Sequence, residues 1–131
     1  FDKKMEYITV SGNQELIYTQ KYVSDLGYSM RYDVNNFSVF KYKDRDYYRF
    51  EKDSNIIVIV EHAELPVNCE NGNNNVTTVS CYLNVDNYTD EYYITSSSSI
   101  YKLTVKLAND STYYTNLLPR IESMINSFEI N

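Results

Sequence analysis

The single histidine of this chain is the residue best suited to acid–base chemistry. His62 directly follows a run of apolar residues and has two acidic neighbours, Glu61 and Glu64. An imidazole acts as a general base when a carboxylate or hydroxyl lies within hydrogen-bond reach of it. Because neighbouring side chains of a strand point to opposite faces, we expect Glu61 to point away from His62. We therefore predict a histidine at the margin of a sheet; the alternative is a small hydrolase or metal-dependent enzyme that uses His62 and nearby acidic residues.

Known catalytic motifs are absent from the sequence. The three glycines, Gly12, Gly27 and Gly72, are too few and too widely spaced to form a glycine-rich phosphate loop. No Gly-x-Ser-x-Gly segment is present to hold a serine nucleophile on a strand-to-helix turn. We therefore predict that the protein is not an enzyme and has neither a catalytic residue nor a cofactor.

The segment 84–93 combines carboxylates with aromatic rings. Its acidic residues are Asp86, Asp90 and Glu91, and its tyrosines are Tyr88, Tyr92 and Tyr93. Closely spaced carboxylates hold calcium in some proteins, but the spacing and the glycine of an EF-hand loop are missing, so we predict no metal. Tyrosine supplies a large contact area at low entropic cost in binding surfaces. Two hypotheses stay open for these tyrosines. They form an exposed binding patch beside the acidic residues, or they pack in a sheet in the ordinary way.

Two cysteines, Cys69 and Cys81, flank an asparagine-rich segment that contains Asn-Gly, a strong turn signal. A bond between them would close a loop of about 13 residues and stabilise the fold by about 3 kcal/mol through restriction of the unfolded chain. The alternative is two separate thiols, one of them buried. Two cysteines and one distant histidine fall short of the four ligands of a structural zinc site.

The charge of the chain excludes some partners. Twelve basic and 18 acidic residues give a net charge of −6 at pH 7, which repels phosphate backbones and anionic lipid headgroups. The most basic run, residues 41–49, is diluted by Asp44 and Asp46 and is typical of a solvated strand edge. We predict no nucleic-acid partner and, because the longest apolar run covers only residues 56–60, no transmembrane segment.

Period-two patterns dominate the chain, which contains 15 tyrosines and 5 phenylalanines, a composition that favours strands. Residues 26–32 and 100–107 alternate most clearly between apolar and polar side chains. Residues 56–60 are consecutive isoleucines and valines, which predicts a central strand buried on both faces. Candidate strands lie at residues 5–10, 16–23, 26–32, 37–43, 47–51, 55–64, 76–85, 88–94 and 100–107. For residues 76–85 a short helix is the alternative.

The last segment changes to a helical period. Apolar residues recur every three or four positions at Leu117, Ile121, Met124 and Phe128, beside Leu118 and Ile125, which predicts one apolar stripe on a helix. We expect a cap at Thr115 or Asn116 and place Pro119 in the first turn, where amides have no intrahelical partner. The predicted fold class is α+β, with a twisted, mainly antiparallel sheet of about six or seven strands and a C-terminal helix packed on it.

Four segments together resemble the PsbP-like family. These are LGYSMRYDVNNFSVF from position 26, IIVIVEHAEL from 56, IYKLTVKL from 100 and MINSFEIN at the C-terminal end. The matching positions are Gly27-Tyr28, Tyr32 and Ser127-Phe128. The chain departs from the family in having no proline or tryptophan in the first turn and no visible helix after the central strand.

The resemblance implies a single PsbP-like α/β sandwich over residues 1–131. Family members include extrinsic photosystem subunits, a nuclear-import Ran-binding protein and many secreted bacterial proteins or lipoproteins, and the Asn, Tyr, Lys and Ile bias is similar to that of low-GC Gram-positive bacteria. We interpret the start at Phe1, without Met or an apolar leader, as a mature or trimmed chain, extracellular or attached to the cell surface. Our first hypothesis is a non-catalytic domain that binds a protein or cell-envelope partner through its sheet margin or the loop at residues 68–75; a further alternative is a structural or oligomerising module.

Overall fold

The computed structural model describes residues 2–69 and 75–131. Strands account for most of the described chain, and one helix lies near its C-terminal end. The elements in chain order are β1 (Lys3–Val10), β2 (Asn13–Val23), β3 (Tyr28–Asp33), β4 (Phe37–Tyr42), β5 (Arg45–Phe50), β6 (Ile57–His62), β7 (Cys81–Asp86), β8 (Thr89–Thr95), β9 (Ile100–Lys106), α1 (Tyr114–Asn126) and β10 (Glu129–Ile130).

The strands form two sheets rather than the single predicted one. Among the described residues, one sheet has the order β1-β2-β3-β10 and the other has the order β4-β5-β6-β9-β8-β7, with antiparallel pairing throughout. The division falls at the turn after β3, where the Asn36 side chain donates to Asp33 Oδ2 at 2.6 Å and its amide donates to the Asp33 carbonyl. β4 then pairs with β5 instead of β3. The predicted antiparallel, mostly β character and the C-terminal helix are confirmed.

The apolar stripe of α1 lies in the core as predicted, but the helix begins earlier. Leu117, Ile121, Met124 and Ile125 are buried. The first helical residue is Tyr114. The side chain of the N-cap residue, Tyr113, makes no capping hydrogen bond. The hydroxyl of Ser111 instead accepts a hydrogen bond from the Tyr113 amide at 3.1 Å, which allows the chain to turn before position 115. Pro119 consequently lies inside the helix and not in its first turn.

The run of β-branched residues in β6 is central but is buried on one face only. β6 lies between β5 and β9, as predicted. Val58 and Val60 are fully buried, whereas Ile57 and Ile59 on the other face are half-buried. The prediction of two buried faces was wrong, because Val58 and Val60 belong to the apolar core whereas Ile57 and Ile59 lie outside it.

Residues 76–85 form a shorter strand than predicted. β7 begins at Cys81, which forms a disulfide with Cys69, and the Cα atoms of the two residues are 5.4 Å apart. That separation is within the ordinary range for a disulfide. Of the two hypotheses for the cysteines, the structure therefore contains the disulfide. The part of the chain that the structure describes contains no helix with the length and apolar character that crossing a bilayer requires.

Candidate functional site

The turn at residues 24–28 connects β2 to β3 and brings both sheets together. Its backbone is closed by hydrogen bonds from the Ser24 amide to the Tyr28 carbonyl at 2.9 Å and from the Gly27 amide to the Ser24 carbonyl at 3.2 Å. The Ser24 hydroxyl also accepts from the Leu26 amide at 3.0 Å. These hydrogen bonds within the turn fix its backbone conformation.

Gly27 is required in this turn by its backbone and by its neighbour. Its φ is +97°, a conformation that L-residues rarely adopt. A Cβ at this position would lie 2.9 Å from the hydroxyl oxygen of Tyr101. That hydroxyl donates to the Leu26 carbonyl at 2.8 Å, so the missing side chain lets β9 reach the turn.

The Leu26 carbonyl also anchors His62. The imidazole Nε2 donates to it at 2.9 Å, and the ring lies 4.6 Å from the Tyr101 ring, centroid to centroid. Two donors from the ends of β6 and β9 therefore share one carbonyl oxygen. Since Nε2 carries the proton in this hydrogen bond, Nδ1 is the acceptor of the neutral ring.

An open groove of about 750 Å³ surrounds this histidine, and we call it the His62 groove. Its volume is within the range of small-molecule sites. The turn between β4 and β5 forms one wall, and the end of β6 and the turn at residues 24–28 form the other. The lining residues are Leu26, Tyr42, Lys43, Asp44, Arg45, Tyr47, Glu61 and His62.

The groove presents both charges and aromatic surface. The Arg45 Nε donates to Glu61 Oε1 at 3.0 Å, and the Lys102 ammonium lies 3.9 Å from the other oxygen of Glu61. Tyr42 is 59% exposed, so the groove offers its ring to a ligand. Glu61 was predicted to point away from His62. It bonds to Arg45 on the outer face of the sheet, and Glu61 and His62 both line the groove.

A catalytic set does not assemble around His62 in the residues that the structure describes. Its ring nitrogen Nε2 bonds to a main-chain carbonyl and not to a carboxylate or a hydroxyl. A second cavity of about 400 Å³ is lined by His62, Ala63 and the serines at 96–99. His62 and these serines therefore line one cavity, and the imidazole itself bonds to the Leu26 carbonyl.

The inner side of the same turn carries a buried carboxylate, Asp46. It is fully buried and accepts hydrogen bonds from the Ser24 hydroxyl at 2.5 Å, the Tyr28 hydroxyl at 2.7 Å and the Tyr22 hydroxyl at 3.3 Å. Tyr28 and Tyr48 have their hydroxyl oxygens 2.8 Å apart. Because Tyr28 donates to the carboxylate, Tyr48 donates to Tyr28. We call Tyr22, Ser24, Tyr28, Asp46 and Tyr48 the Asp46 cluster.

Burial sets the protonation of the tyrosines in this cluster. It raises the pKa of Tyr28 far above the ordinary value, and the neighbouring Tyr48 and Asp46 add to the effect. Burial likewise raises the pKa of Tyr48, against an opposing hydrogen bond with Tyr28. Residues 41–49 were predicted to be a solvated strand edge; for Asp46 this was wrong, because β5 turns that residue towards Tyr28 and the core.

The acidic residues predicted near position 90 lie on two sides of the sheet. Asp90 accepts from the Tyr82 hydroxyl at 2.7 Å and from the Asn84 amide nitrogen at 2.8 Å, and Asn84 also donates to the Asp86 carbonyl at 3.0 Å. Glu91 points to the opposite face, as alternation along β8 requires. Within residues 2–69 and 75–131, no three His, Cys, Asp or Glu side chains are arranged to hold a metal ion.

The predicted aromatic patch in this segment does not form. Tyr92 and Tyr93 are only 2% and 4% exposed, and Tyr88 alone of the three is open to solvent, at 55%. The Tyr93 hydroxyl donates to Glu91 Oε1 at 2.8 Å. Burial raises the pKa of both Tyr92 and Tyr93 above the ordinary value. The alternative hypothesis, ordinary sheet packing, therefore describes Tyr92 and Tyr93.

Of the other predicted binding element, the loop at residues 68–75, positions 70–74 lie outside the described residues. Sequence reasoning found His62 but missed Leu26, in the turn at residues 24–28, and Tyr42 and Arg45, which flank the turn between β4 and β5. The available signal was the polar hairpin turn at residues 43–46, whose position opposite β6 depends on sheet order. Compared with known proteins, the chain matches no protein-family model and no curated sequence.

Proposed function

We propose that the protein is a non-catalytic extracytoplasmic domain that binds a protein or cell-envelope partner in the His62 groove. The observation that carries this proposal is a concave site built on strand ends and two turns, in which an exposed aromatic ring lies beside an Arg45–Glu61 pair. Ligand sites typically combine apolar walls with a few fixed polar groups. The histidine contributes a ring held at one angle by the Leu26 carbonyl and by Tyr101.

The chemistry of the groove suits a polar chain with an apolar face. Tyr42 and Tyr47 supply ring surface on which a sugar ring or a peptide side chain can pack. Arg45 and Glu61, which are hydrogen-bonded to each other, place donor and acceptor groups in the lining of the groove. A glycan of the cell envelope and an extended peptide both fit this description.

A binding titration tests the proposal directly. We expect soluble peptidoglycan fragments or the peptide of a partner to shift the amide resonances of residues 42–47 and 61–62 in the isotope-labelled protein. Tyr42→Ala should weaken binding at least about tenfold if its ring packs on the ligand. Tyr88→Ala is the matched control, since Tyr88 is exposed to a similar degree and lies outside the groove. Shifts confined to other surfaces would refute the groove as the site.

The PsbP-like family remains part of the proposal. Its support is that the matched residues contact one another, since the rings of Tyr28 and Phe128 stack at 4.7 Å and Ser127 accepts from the Arg31 amide at 2.8 Å. The C-terminal helix of the resemblance is therefore tied to the first matched strand. A search with an experimentally determined structure for PsbP-like neighbours tests this assignment, and a different nearest fold would overturn it.

The extracytoplasmic location is supported by the Cys69–Cys81 disulfide, because such bonds persist mainly in oxidising compartments. Fractionation of the producing cell should recover the protein in the wall or culture fraction. Intact mass under non-reducing conditions should show no free thiol. Recovery in the cytoplasm with two free thiols would contradict this part of the proposal.

The alternative is a small hydrolase in which His62 activates one of the serines at 96–99, as their shared cavity allows. This requires turnover of ester or amide substrates that His62→Ala abolishes and that Ser97→Ala or Ser98→Ala also lowers. Binding without turnover, lost in Tyr42→Ala, supports the first proposal. Turnover that depends on His62 replaces it.

A further inference from the structure

The hairpin of β1 and β2 carries a large exposed apolar face. Met5 lies opposite Tyr18 and Tyr7 lies opposite Leu16 in its register, so all four side chains share one side. Their exposed fractions are 58%, 42%, 70% and 41% in that order. Exposed apolar clusters of this kind on soluble proteins commonly mark interaction sites.

The other face of the hairpin is fixed against the rest of the molecule. Val10, Ile17 and Thr19 are buried there, and Glu15 forms an ion pair with Arg120 of α1. A one-residue slip of the strand would exchange the two faces and expose this packing. The outward position of the apolar face is therefore set by the fold.

Among residues 2–69 and 75–131, no strand pairs with the outer edge of β1, which is the outermost strand of the four-stranded sheet. The hairpin loop has two residues, Ser11 and Gly12, with φ values of 51° and 80°, as in a type I′ turn. Such a turn closes on a hydrogen-bonded pair, here Val10 and Asn13. Main-chain groups alternate along an antiparallel strand, so those of Met5 and Tyr7 point to the open edge.

We propose that β1 pairs in antiparallel fashion with β1 of a second copy of this chain, with Met5 opposite the partner's Met5. A two-fold axis normal to the sheet keeps both apolar faces on the same side and closes the dimer. The pairing satisfies the outward main-chain groups of Met5 and Tyr7. It also places Met5 directly beside the partner's Met5, whereas Tyr7 lies opposite the partner's Lys3 and diagonal to the partner's Met5.

The charges of β1 select a second copy and this register. With Met5 opposite the partner's Met5, Lys4 faces the partner's Glu6 and Glu6 faces the partner's Lys4. The next registers that keep the same main-chain groups paired are shifted by two residues. A shift in one direction places Glu6 opposite the partner's Glu6, and a shift in the other direction places Lys4 opposite the partner's Lys4. Like charges directly opposite one another destabilise a strand pair. The sequence of β1 is thus complementary to itself in one arrangement, and Lys4 and Glu6 already lie 3.7 Å apart within one chain.

Light scattering coupled to size-exclusion chromatography tests the proposal. The wild-type mass should approach twice 15.4 kDa at high concentration and fall towards 15.4 kDa on dilution. Lys4→Glu and Glu6→Lys should each weaken dimerisation at least about tenfold, because each places like charges opposite one another. The double variant Lys4→Glu with Glu6→Lys should restore the dimer, since it only exchanges the two signs.

Two further variants separate the edge from general effects. Tyr7→Pro removes an outward amide and should also give a monomer, with a circular dichroism spectrum like that of the wild type. Lys52→Glu makes the same charge change in an exposed turn and should leave the mass unchanged. A wild-type protein that stays at 15.4 kDa up to about 1 mM, or a dimer that survives both charge reversals, would overturn the proposal.

Discussion

The turn at residues 24–28 has two sides, and the same short segment serves a closed network on one and an open groove on the other. On the inner side, Ser24 and Tyr28 donate to a fully buried Asp46. On the outer side, the Leu26 carbonyl accepts a hydrogen bond from His62 at the wall of an open groove. Hydrogen bonds of similar length therefore occur in a buried and in an open environment. The comparison separates the Asp46 cluster, which stabilises the fold, from the His62 groove, which is accessible to a ligand.

Burial decides how much each side contributes to stability. A hydrogen bond in a dry site costs its full desolvation penalty when one partner is removed, whereas water replaces the lost partner at an exposed site. Within the described residues, every buried side-chain nitrogen or oxygen has a partner. We therefore expect changes on the inner side to unfold the protein and changes on the outer side to alter recognition.

The largest effect should come from Asp46→Ala, which removes the acceptor of three hydroxyls at once. We expect the free energy of unfolding to fall by about 4 kcal/mol, because hydrogen bonds to a charged group contribute about 1.5 to 3 kcal/mol each and are not additive. Urea unfolding followed by circular dichroism measures this loss. Asp25→Ala is the matched control: it removes an exposed carboxylate paired with Lys41 and should cost less than about 1 kcal/mol. Equal losses in the two variants would remove the basis of the comparison.

The second effect concerns the glycine that lies between the two sides. Gly27→Ala should cost about 3 kcal/mol, because it adds left-handed backbone strain and pushes Tyr101 away from the Leu26 carbonyl. Gly12→Ala separates the two causes, since Gly12 also has a positive φ but a Cβ there would meet no atom within 4 Å. It should cost only the strain, about 1 kcal/mol. If both substitutions cost the same in urea unfolding, then the approach of Tyr101 contributes nothing.

The third effect is a loss of stability at alkaline pH. The folded protein keeps Tyr28 and Tyr48 protonated because burial raises their pKa, whereas the unfolded chain loses these protons near pH 10. The stabilisation is present below pH 10 and declines above it, by up to about 1.4 kcal/mol per pH unit for each tyrosine. Tyr48→Phe should reduce this slope by one tyrosine's share between pH 10 and 12, with Tyr42→Phe as the exposed control. An unchanged slope in Tyr48→Phe would argue against a buried, neutral Tyr48.

Local patterns predicted much of the fold, and long-range pairing accounts for what they missed. The alternation in β3 and the apolar stripe of α1 follow from strand and helix periods, which act over a few residues. The partner of β3 at its free edge is β10, about a hundred residues away, and no period encodes such a pairing. For this reason we predicted one sheet where the structure has two.

The candidate site was less predictable than the fold for the same reason. His62 stood out as the only histidine, but its groove requires the turn at residues 24–28 and the turn after β4 to meet at the end of β6. Asp46 lies in a run of mixed charge, and its burial depends on facing Tyr28 across the two sheets. The sequence therefore identified His62 by its residue type, but it did not predict the groove around His62 or the burial of Asp46, because both depend on how distant segments pack together.

The smallest effect tests whether the two donors on the Leu26 carbonyl act together. His62→Ala should cost no more than about 0.5 kcal/mol, because the side chain is exposed and Tyr101 still satisfies the carbonyl. Tyr101→Phe removes the other donor and should cost about 1 kcal/mol. The double variant should lose about 0.5 to 1 kcal/mol more than the sum, since the carbonyl then has no donor from either strand. Strict additivity in this double-mutant cycle would mean that water replaces either donor, and that the wall of the His62 groove is held by β9 packing and not by the shared carbonyl.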